Sequence, residues 1–383
     1  MTAIHRVFLA FLMAVAIGAC TTIPRVPFTG AEQALAVPAG FPNVRFVLSD
    51  PAVGLRLSED FQRAQAERGR GSVMLSLSGG GANGAYGAGV LYGWSKSGRR
   101  PVFDVVTGVS TGALSAPFAF LGPKYDEALR LSYTGTGAAN LLSFEGLFAL
   151  FRTSFYSAKP LQNLVNRFID EPLMNDVAAE DAKGRRLMIA TTNLDTQQLM
   201  LWDMGAIARA GGPEALRLFR QVMIASASVP GVFPPVMIDV EAGSRRFAEM
   251  HVDGATVASF FAIPETMLLW RDSTPPAFRT RLYLLINGRV DGEFAVTRYS
   301  TLPIVARSFD TMSKSRTRVA IAATTAFAQA NGIELSMTTL PLGIPDTSLD
   351  FNQKRMTSLF ELGRVAVQEG RAWQMTPETA ATP

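Results

Sequence analysis

Two consecutive strand–turn–helix units constrain the fold of this chain most strongly. The segment "SVMLSLS" at 72–78 is a short apolar run bounded by glycine, and "FDVVTG" at 103–108 is a second one. Both predict buried strands. Each run is followed by a glycine-containing turn and then by a stretch of small and apolar residues that predicts a helix. Because strand, helix and strand follow one another, we predict an α/β fold, a three-layer α/β/α sandwich with a mostly parallel central sheet.

Further apolar patterns extend this arrangement over most of the 383 residues. No internal repeat is visible, and the proline clusters do not look like domain boundaries, so the sequence predicts one catalytic domain at 46–375 with a tail at 376–383. The predicted elements are a helix at 57–69, a strand pair within 185–204, a helix at 214–227, strands at 246–255 and 279–289, a long helix at 301–329, a strand at 333–340 and a last helix at 355–370.

The amino terminus predicts an export signal. Arg6 precedes the apolar run "VFLAFLMAVAI" at 7–17, and the small residues "GA" follow. This pattern is typical of a secretory signal peptide, which we place at 1–19. The run is shorter than the ~18–20 residues that a membrane-spanning helix requires.

The only cysteine, Cys20, lies at the predicted cleavage position. The sequence "IGAC" resembles the lipobox of bacterial lipoproteins, which implies that Cys20 is lipidated; the alternative is an ordinary signal peptide with an incidental cysteine. Because Thr21 rather than aspartate follows, we expect a lipid anchor in the outer membrane, with the protein in the cell envelope facing the periplasm. Residues 20–45, rich in Pro, Thr, Ala and Gly, predict a tether.

Composition excludes several classes of function. The net charge of +4 comes with scattered basic residues and no recognition motif, so nucleic acid is not an expected partner. A single cysteine excludes an intrachain disulfide and a multi-cysteine metal site. No group of residues has metal-ligand spacing, and no metal or other cofactor is expected.

The sequence "GVSTG" places Ser110 between Gly108 and Gly112, after a predicted strand and before a predicted helix. This is the setting of a nucleophile elbow, in which the turn exposes the serine at the amino end of a helix. Backbone N–H groups at such a position favour a developing negative charge. Ser110 is therefore the candidate nucleophile, although the same sequence pattern also occurs in ordinary turns between a strand and a helix.

The loop "SGGGANG" at 78–84 has two interpretations. Its spacing Gly79-x-Gly81-x-x-Gly84 matches a dinucleotide-binding fingerprint, but the acidic residue expected at the end of the next strand is missing. Consecutive glycines also allow several backbone N–H groups to converge on one oxygen, as in an oxyanion loop. We favour the oxyanion loop because the candidate nucleophile follows on the next strand.

The proton acceptor for Ser110 must come from few candidates. Only His5 and His251 are present, and His5 lies in the predicted signal peptide. His251 stands two positions before Asp253, so on a strand both side chains point the same way, a poor arrangement for a Ser–His–Asp triad. The alternative is a dyad in which Asp253 accepts the proton directly. His251 is then a packed strand residue, or it orients the substrate or tunes Asp253.

Four segments in order, "SGGGANGAYGAGVL", "GVSTGAL", "ASASVPGVFPPV" and "HVDGA", resemble the motifs of the patatin-like phospholipases over 72–256. The resemblance implies a patatin-like fold and acyl-ester hydrolysis without a catalytic metal. It also implies Ser110 as nucleophile, Asp253 as base, and an oxyanion loop of Gly79, Gly80, Gly81 and Gly84. The expected substrate is a phospholipid or another acyl ester.

The chain departs from this pattern at Asn83, where many relatives carry Arg or Lys, and residues 257–383 match no named motif. Two apolar segments, 141–151 and 257–270, could form an acyl-chain cleft or a membrane-touching lid, or simply pack in the core. The sequence leaves open an acyltransferase on the same dyad and a non-catalytic envelope lipoprotein that keeps the fold.

Overall fold

A computed structural model describes residues 25–135, 141, 157–268 and 278–375 of the chain. The predicted signal peptide, the predicted lipidation site Cys20 and the predicted tail at 376–383 lie outside the described residues. So does most of the apolar segment 141–151, and the segment 257–270 is described as far as residue 268.

The described residues contain one mixed sheet of eleven strands. The strands are β1 (Val37–Pro38), β2 (Arg45–Val47), β3 (Val73–Leu77), β4 (Val105–Val109), β5 (Arg186–Asn193), β6 (Gln198–Asp203), β7 (Val236–Ala242), β8 (Arg245–Asp253), β9 (Arg281–Ile286), β10 (Glu334–Thr339) and β11 (Gln374–Met375).

The centre of the sheet is parallel. Strands β5, β4, β3, β9 and β10 pair in that order, all in the same direction. Antiparallel strands extend both sides: β8, β7 and β1 continue from β5, while β11 pairs with β10. Strand β6 also pairs with β5, and β2 pairs with β6. The carboxyl ends of the parallel strands therefore share one edge, where loops can meet to form a site.

Helices cover both faces of this sheet and complete three layers, as the sequence predicted. Val106 of β4 faces a large core with most of the helices, whereas Val105 and Val109 face two smaller cores beneath α2 and α10. None of the helices in the described ranges is both long and apolar enough to cross a membrane. The helices are α1 (Gly30–Leu35), α2 (Pro51–Arg68), α3 (Gly84–Lys96), α4 (Thr111–Leu121), α5 (Asp126–Thr134), α6 (Lys159–Phe168), α7 (Glu171–Asp181), α8 (Met204–Ala210), α9 (Gly212–Ser226), α10 (Thr301–Ala330) and α11 (Gln353–Gln368).

The amino-terminal segment differs from the predicted tether. Residues 25–47 are folded onto the sheet: β1 pairs with β7 and β2 pairs with β6. Arg25 forms an ion pair with Asp195 at 2.6 Å, and Phe28 stacks on Phe247. These short strands form by hydrogen bonding to the edges of longer strands. Their own sequences therefore need no apolar period, and none is visible.

Candidate active site

Ser110 occupies a strained turn between β4 and α4. Its backbone angles are φ 56° and ψ −125°, a conformation that L-residues rarely adopt and that costs about 1–3 kcal/mol. The neighbouring glycines make the tight turn possible. A Cβ on Gly108 would lie 2.7 Å from the backbone of Ala113, and one on Gly112 would lie 2.4 Å from the Leu77 carbonyl oxygen. The serine is thus presented at the carboxyl edge of the parallel strands.

Asp253 ends β8 directly beside this turn. Ser110 Oγ donates a hydrogen bond of 2.6 Å to Asp253 Oδ2. The other carboxylate oxygen, Oδ1, accepts a hydrogen bond of 2.8 Å from the Ala255 N–H, so the orientation of the group is fixed. Burial raises the pKa of Asp253 to about 7, against the opposing effect of these two hydrogen bonds. A carboxyl group with this pKa can both accept and return a proton near neutral pH.

The "ASAS" segment at the end of α9 holds both residues in place. Ser226 Oγ accepts a hydrogen bond of 3.0 Å from the Ser110 N–H and donates one of 2.7 Å to the Ala190 carbonyl oxygen. The Ser228 carbonyl oxygen accepts a hydrogen bond of 2.9 Å from the Asp253 N–H. The role of the two serines was not predicted from the sequence, in which their place in the motif is the only signal.

His251 has other partners than the serine. Its Nδ1 lies 3.0 Å from Thr191 Oγ1, and its Nε2 lies 3.2 Å from Glu249 Oε2. The ring is fully buried and packs edge-on against Trp202. Burial lowers the pKa of His251, although Glu249 opposes the shift. The imidazole therefore belongs to a packed polar cluster on the same strand as Asp253.

The glycine loop lies against Ser110. A Cβ on Gly79 would be 3.1 Å from the Ser110 Cβ. The Gly79 N–H donates to the Ser259 carbonyl oxygen at 2.9 Å, and the Gly84 N–H bonds back to the carbonyl oxygens of Gly81 and Ala82. Within the described part of the chain, the N–H groups of Gly80 and Gly81 make no hydrogen bond.

The conformation of the loop depends on glycine. Gly80 and Gly81 have φ of 155° and 55°. A Cβ on Gly80 would lie 1.7 Å from the Asn287 carbonyl oxygen, and one on Gly81 would lie 2.1 Å from that of Ser348. The Ser348 carbonyl oxygen also accepts a hydrogen bond of 2.7 Å from the Ala82 N–H. Backbone from the carboxyl-terminal third thus presses directly on the loop and fixes its shape.

Asn83 connects the loop to a charged network that sequence analysis missed. Its Nδ2 donates to Asp346 Oδ1 at 2.5 Å, and its Oδ1 accepts a hydrogen bond of 2.7 Å from Arg355 Nη2. Lys314 lies 3.1 Å from the other oxygen of Asp346. The positive charge that Asn83 itself lacks is therefore present on a partner residue, Arg355. The partners are more than 260 positions away in the sequence, so no local pattern could indicate them.

A narrow apolar cavity of about 60 Å³ ends at Ser110. Its walls come from α4, α5 and α6, from the end of α9 with the loop after it, and from the start of α11 with the loop before it. The lining includes Leu114, Phe118, Leu161, Leu164, Val165, Phe168, Met223, Phe233, Phe351 and Met356. Walls of this kind suit an aliphatic chain as ligand.

One protein-family model matches this chain. The family model described as patatin-like phospholipase matches residues 75–266, about half of the chain. This range contains Ser110, Asp253 and the glycine loop, whereas Asp346 and Arg355 lie beyond it. No curated protein sequence matches the chain.

Two solved structures are distantly similar. VipD from Legionella pneumophila is 12% identical with a TM-score of 0.41, and the alignment covers 80% of this chain and 68% of that one. The type III effector protein ExoU is 12% identical with a TM-score of 0.32, and the alignment covers 81% of this chain and 56% of that one.

Proposed function

Because the chain belongs to the patatin-like phospholipase family, whose members act on lipid esters, we propose that it is a lipid acyl hydrolase that works with a Ser110–Asp253 dyad. The observation that carries the proposal is the 2.6 Å hydrogen bond between Ser110 Oγ and Asp253 Oδ2. It joins a serine in a strained turn to a buried carboxylate that can take its proton.

The reaction we propose has two steps. Ser110 Oγ attacks the ester carbonyl carbon while Asp253 accepts the hydroxyl proton, and the carbonyl oxygen becomes an oxyanion. Collapse of this intermediate breaks the ester bond, and Asp253 returns the proton to the leaving alcohol. Water then attacks the acyl-enzyme by the same route and releases the fatty acid.

The oxyanion would be bound by the N–H groups of Gly80 and Gly81. These are the loop amides that make no hydrogen bond in the described part of the chain, whereas the amides of Gly79 and Gly84 hold the loop together. Donors fixed in advance around a developing charge are worth about 3–4 kcal/mol each in comparable enzymes. Of the four predicted glycines, Gly80 and Gly81 would thus donate to the oxyanion, whereas Gly79 and Gly84 would hold the loop in shape.

The apolar cavity behind Ser110 would receive the acyl chain. Its volume of about 60 Å³ is below the ~300 Å³ or more that ligand pockets usually offer. The lining side chains must therefore separate when substrate binds. Long-chain phospholipids, lysophospholipids and acylglycerols all fit this requirement.

Labelling by a fluorophosphonate probe followed by lipid analysis tests the proposal. We expect the probe to modify Ser110, and the purified protein to release fatty acid from a phospholipid mixture, with Ser110→Ala inactive in both assays. Acyl transfer to an added alcohol without fatty acid release would identify an acyltransferase instead. The absence of labelling in a folded protein would favour a non-catalytic lipoprotein.

We also propose that Cys20 carries a lipid anchor that holds the protein in the outer membrane. The lone cysteine at the predicted cleavage position supports this. Incorporation of a palmitate analogue in the producing bacterium, lost on Cys20→Ser, is the expected result. Labelling that persists in Cys20→Ser, or is absent from the wild type, would contradict the anchor.

A further inference from the structure

Helix α10 is much longer than the strands it accompanies. Its 30 residues span about 45 Å, whereas the six residues of β9 span about 20 Å. Its second half packs on the sheet, where Phe327 and Ala328 are buried. Between 301 and 313, no residue whose side chain is described is buried. The first half of the helix therefore extends beyond the sheet.

The extension lies at the edge that carries Ser110. Strand β9 is parallel to β3, so the chain leaves β9 at the same edge at which β3 enters the glycine loop. In the middle of the helix, Arg316 donates to the Thr256 carbonyl oxygen at 2.6 Å, and Thr317 Oγ1 donates to Ser259 Oγ at 2.7 Å. Both partners follow Asp253 closely, so the roughly 15 residues before Arg316 project about 22 Å past the site.

The projecting part exposes apolar side chains. Val305, Phe309 and Met312 follow one another at helical spacing on one face, and all three are exposed. The segment before the helix adds Phe294, Val296 and Tyr299, whose exposed fractions are 94%, 86% and 100%. We name these six residues the edge patch. Exposed apolar side chains grouped in this way normally meet another phase or molecule.

The segment that carries the edge patch has a positive net charge. Residues 289–318 contain six basic and three acidic side chains, a net charge of +3. Arg298, the residue before Tyr299 of the edge patch, is exposed. Apolar and aromatic side chains flanked by basic residues are typical of surfaces that insert into the interface of an anionic bilayer.

We infer that the edge patch docks the protein onto an anionic lipid surface, with its apolar side chains inserted among the acyl chains. This inference rests on the proposed function, because it identifies the bilayer as the source of substrate. Docking at this edge turns the edge of the sheet that carries Ser110 towards the bilayer from which the lipid would come.

Partitioning onto vesicles tests the edge patch directly. The full chain carries Cys20→Ser, so that no lipid anchor contributes, and Ser110→Ala, so that lipid is not consumed. We expect binding to vesicles of phosphatidylcholine and phosphatidylglycerol to fall about tenfold on Val305→Asp. Arg298→Gln should lower binding about fivefold on these vesicles and leave binding to pure phosphatidylcholine unchanged.

Val102→Asp is the matched control. Val102 is similarly exposed, 67% against 59% for Val305, but it precedes β4 and so lies at the opposite edge of the sheet. Its substitution should change vesicle binding less than twofold. In protein with Ser110 intact, hydrolysis of a short-chain soluble ester should be equal in wild type and Val305→Asp.

Two results would overturn the inference. One is vesicle binding that Val305→Asp leaves unchanged. The other is dissociation of a dimer by Val305→Asp without loss of vesicle binding, which would show that a second copy covers the patch. Loss of vesicle binding on Val305→Asp in a protein that hydrolyses no ester would instead refute the proposed function and support the docking surface.

Discussion

Strand β8 carries two acidic side chains on one face, Glu249 and Asp253, and their pKa values are shifted in opposite directions. Hydrogen bonds from His251 and Arg45 outweigh burial and lower the pKa of Glu249 to about 2. Asp253, at the end of the strand, has no positively charged hydrogen-bond partner in the described residues, and burial raises its pKa to about 7. Partners, rather than burial alone, decide which carboxylate is a permanent charge and which can exchange a proton.

His251 is bound to the Glu249 end of the strand and not to the serine. His251 lies between the two acids on the strand, but its ring is hydrogen-bonded to Glu249 and Thr191. In the geometry of a triad, the imidazole would stand between the serine and an acid. Here the serine hydroxyl donates directly to the acid. We therefore assign a structural role to the imidazole of His251.

The largest effect should come from exchanging the base. Asp253→Asn removes the proton acceptor while keeping its shape, and we expect kcat/KM on a soluble ester to fall by about 10³-fold or more. His251→Gln should change kcat/KM by less than about fivefold, since it alters the structural cluster only. Circular dichroism would confirm that both variants fold. Equal inactivity of the two variants would show that the histidine takes part in catalysis.

At the other end of the strand, we expect stability to change instead. Glu249→Gln leaves the buried guanidinium of Arg45 without its counter-ion, and this should lower the free energy of unfolding by about 3 kcal/mol at pH 7. Activity per folded molecule should be unchanged. Urea denaturation would measure the loss, and Glu241→Gln, which breaks an exposed pair with Arg246, is the control, with a loss below about 1 kcal/mol.

The pH dependence of that loss has a definite sign. Because the pKa of Glu249 is lower in the folded protein than its ordinary value of 4.5, its stabilisation is present above pH 4.5 and disappears as the pH falls towards 2. The difference between wild type and Glu249→Gln should therefore shrink in acid. A difference that stays constant down to pH 3 would mean that the ion pair is not its cause.

Activity should follow the titration of the other carboxylate. Only ionised Asp253 can accept the serine proton, so kcat/KM should rise about tenfold per pH unit below 7 and level off above it. Initial rates on a neutral soluble ester between pH 5 and 9 would measure this. A profile that is flat across pH 7 would refute Asp253 as the general base.

The smallest effect should come from the support of the glycine loop. Arg355 reaches the loop through Asn83, so Arg355→Ala should lower kcat by several-fold with KM nearly unchanged, while Arg355→Lys restores part of the loss. Arg364, on the same helix, pairs with Glu361 at the surface and is the matched control. Steady-state kinetics separates the two parameters; equal effects of Arg355→Ala and Arg364→Ala would assign the network to stability alone.

The sequence predicted the elements whose pattern is local. The strand expected at 72–78 is Val73–Leu77, and the helix expected at 301–329 is Thr301–Ala330. Ser110 and Asp253 were singled out by strand ends and glycine turns, and the structure brings them into hydrogen-bond contact. These features could be predicted because each is specified by a few neighbouring residues.

What could not be predicted depends on distant partners. Strand β7, at Val236–Ala242, follows a proline-rich loop and gains its structure from pairing with β8. The short strands β1 and β2 likewise form only against other strands. The contacts of Ser348, Asp346 and Arg355 with the glycine loop join residues more than 260 positions apart, a relation that periodicity and spacing do not contain.

The ion pair of Arg25 with Asp195 limits how far an anchored molecule could move. Asp195 lies in the turn after β5, at the same edge of the sheet as Ser110. If Cys20 is acylated as we propose, only five peptide units separate the membrane from this fixed point, at most about 18 Å of chain. Such a short connection would keep Asp195, and with it the edge of the sheet that carries Ser110, near the bilayer.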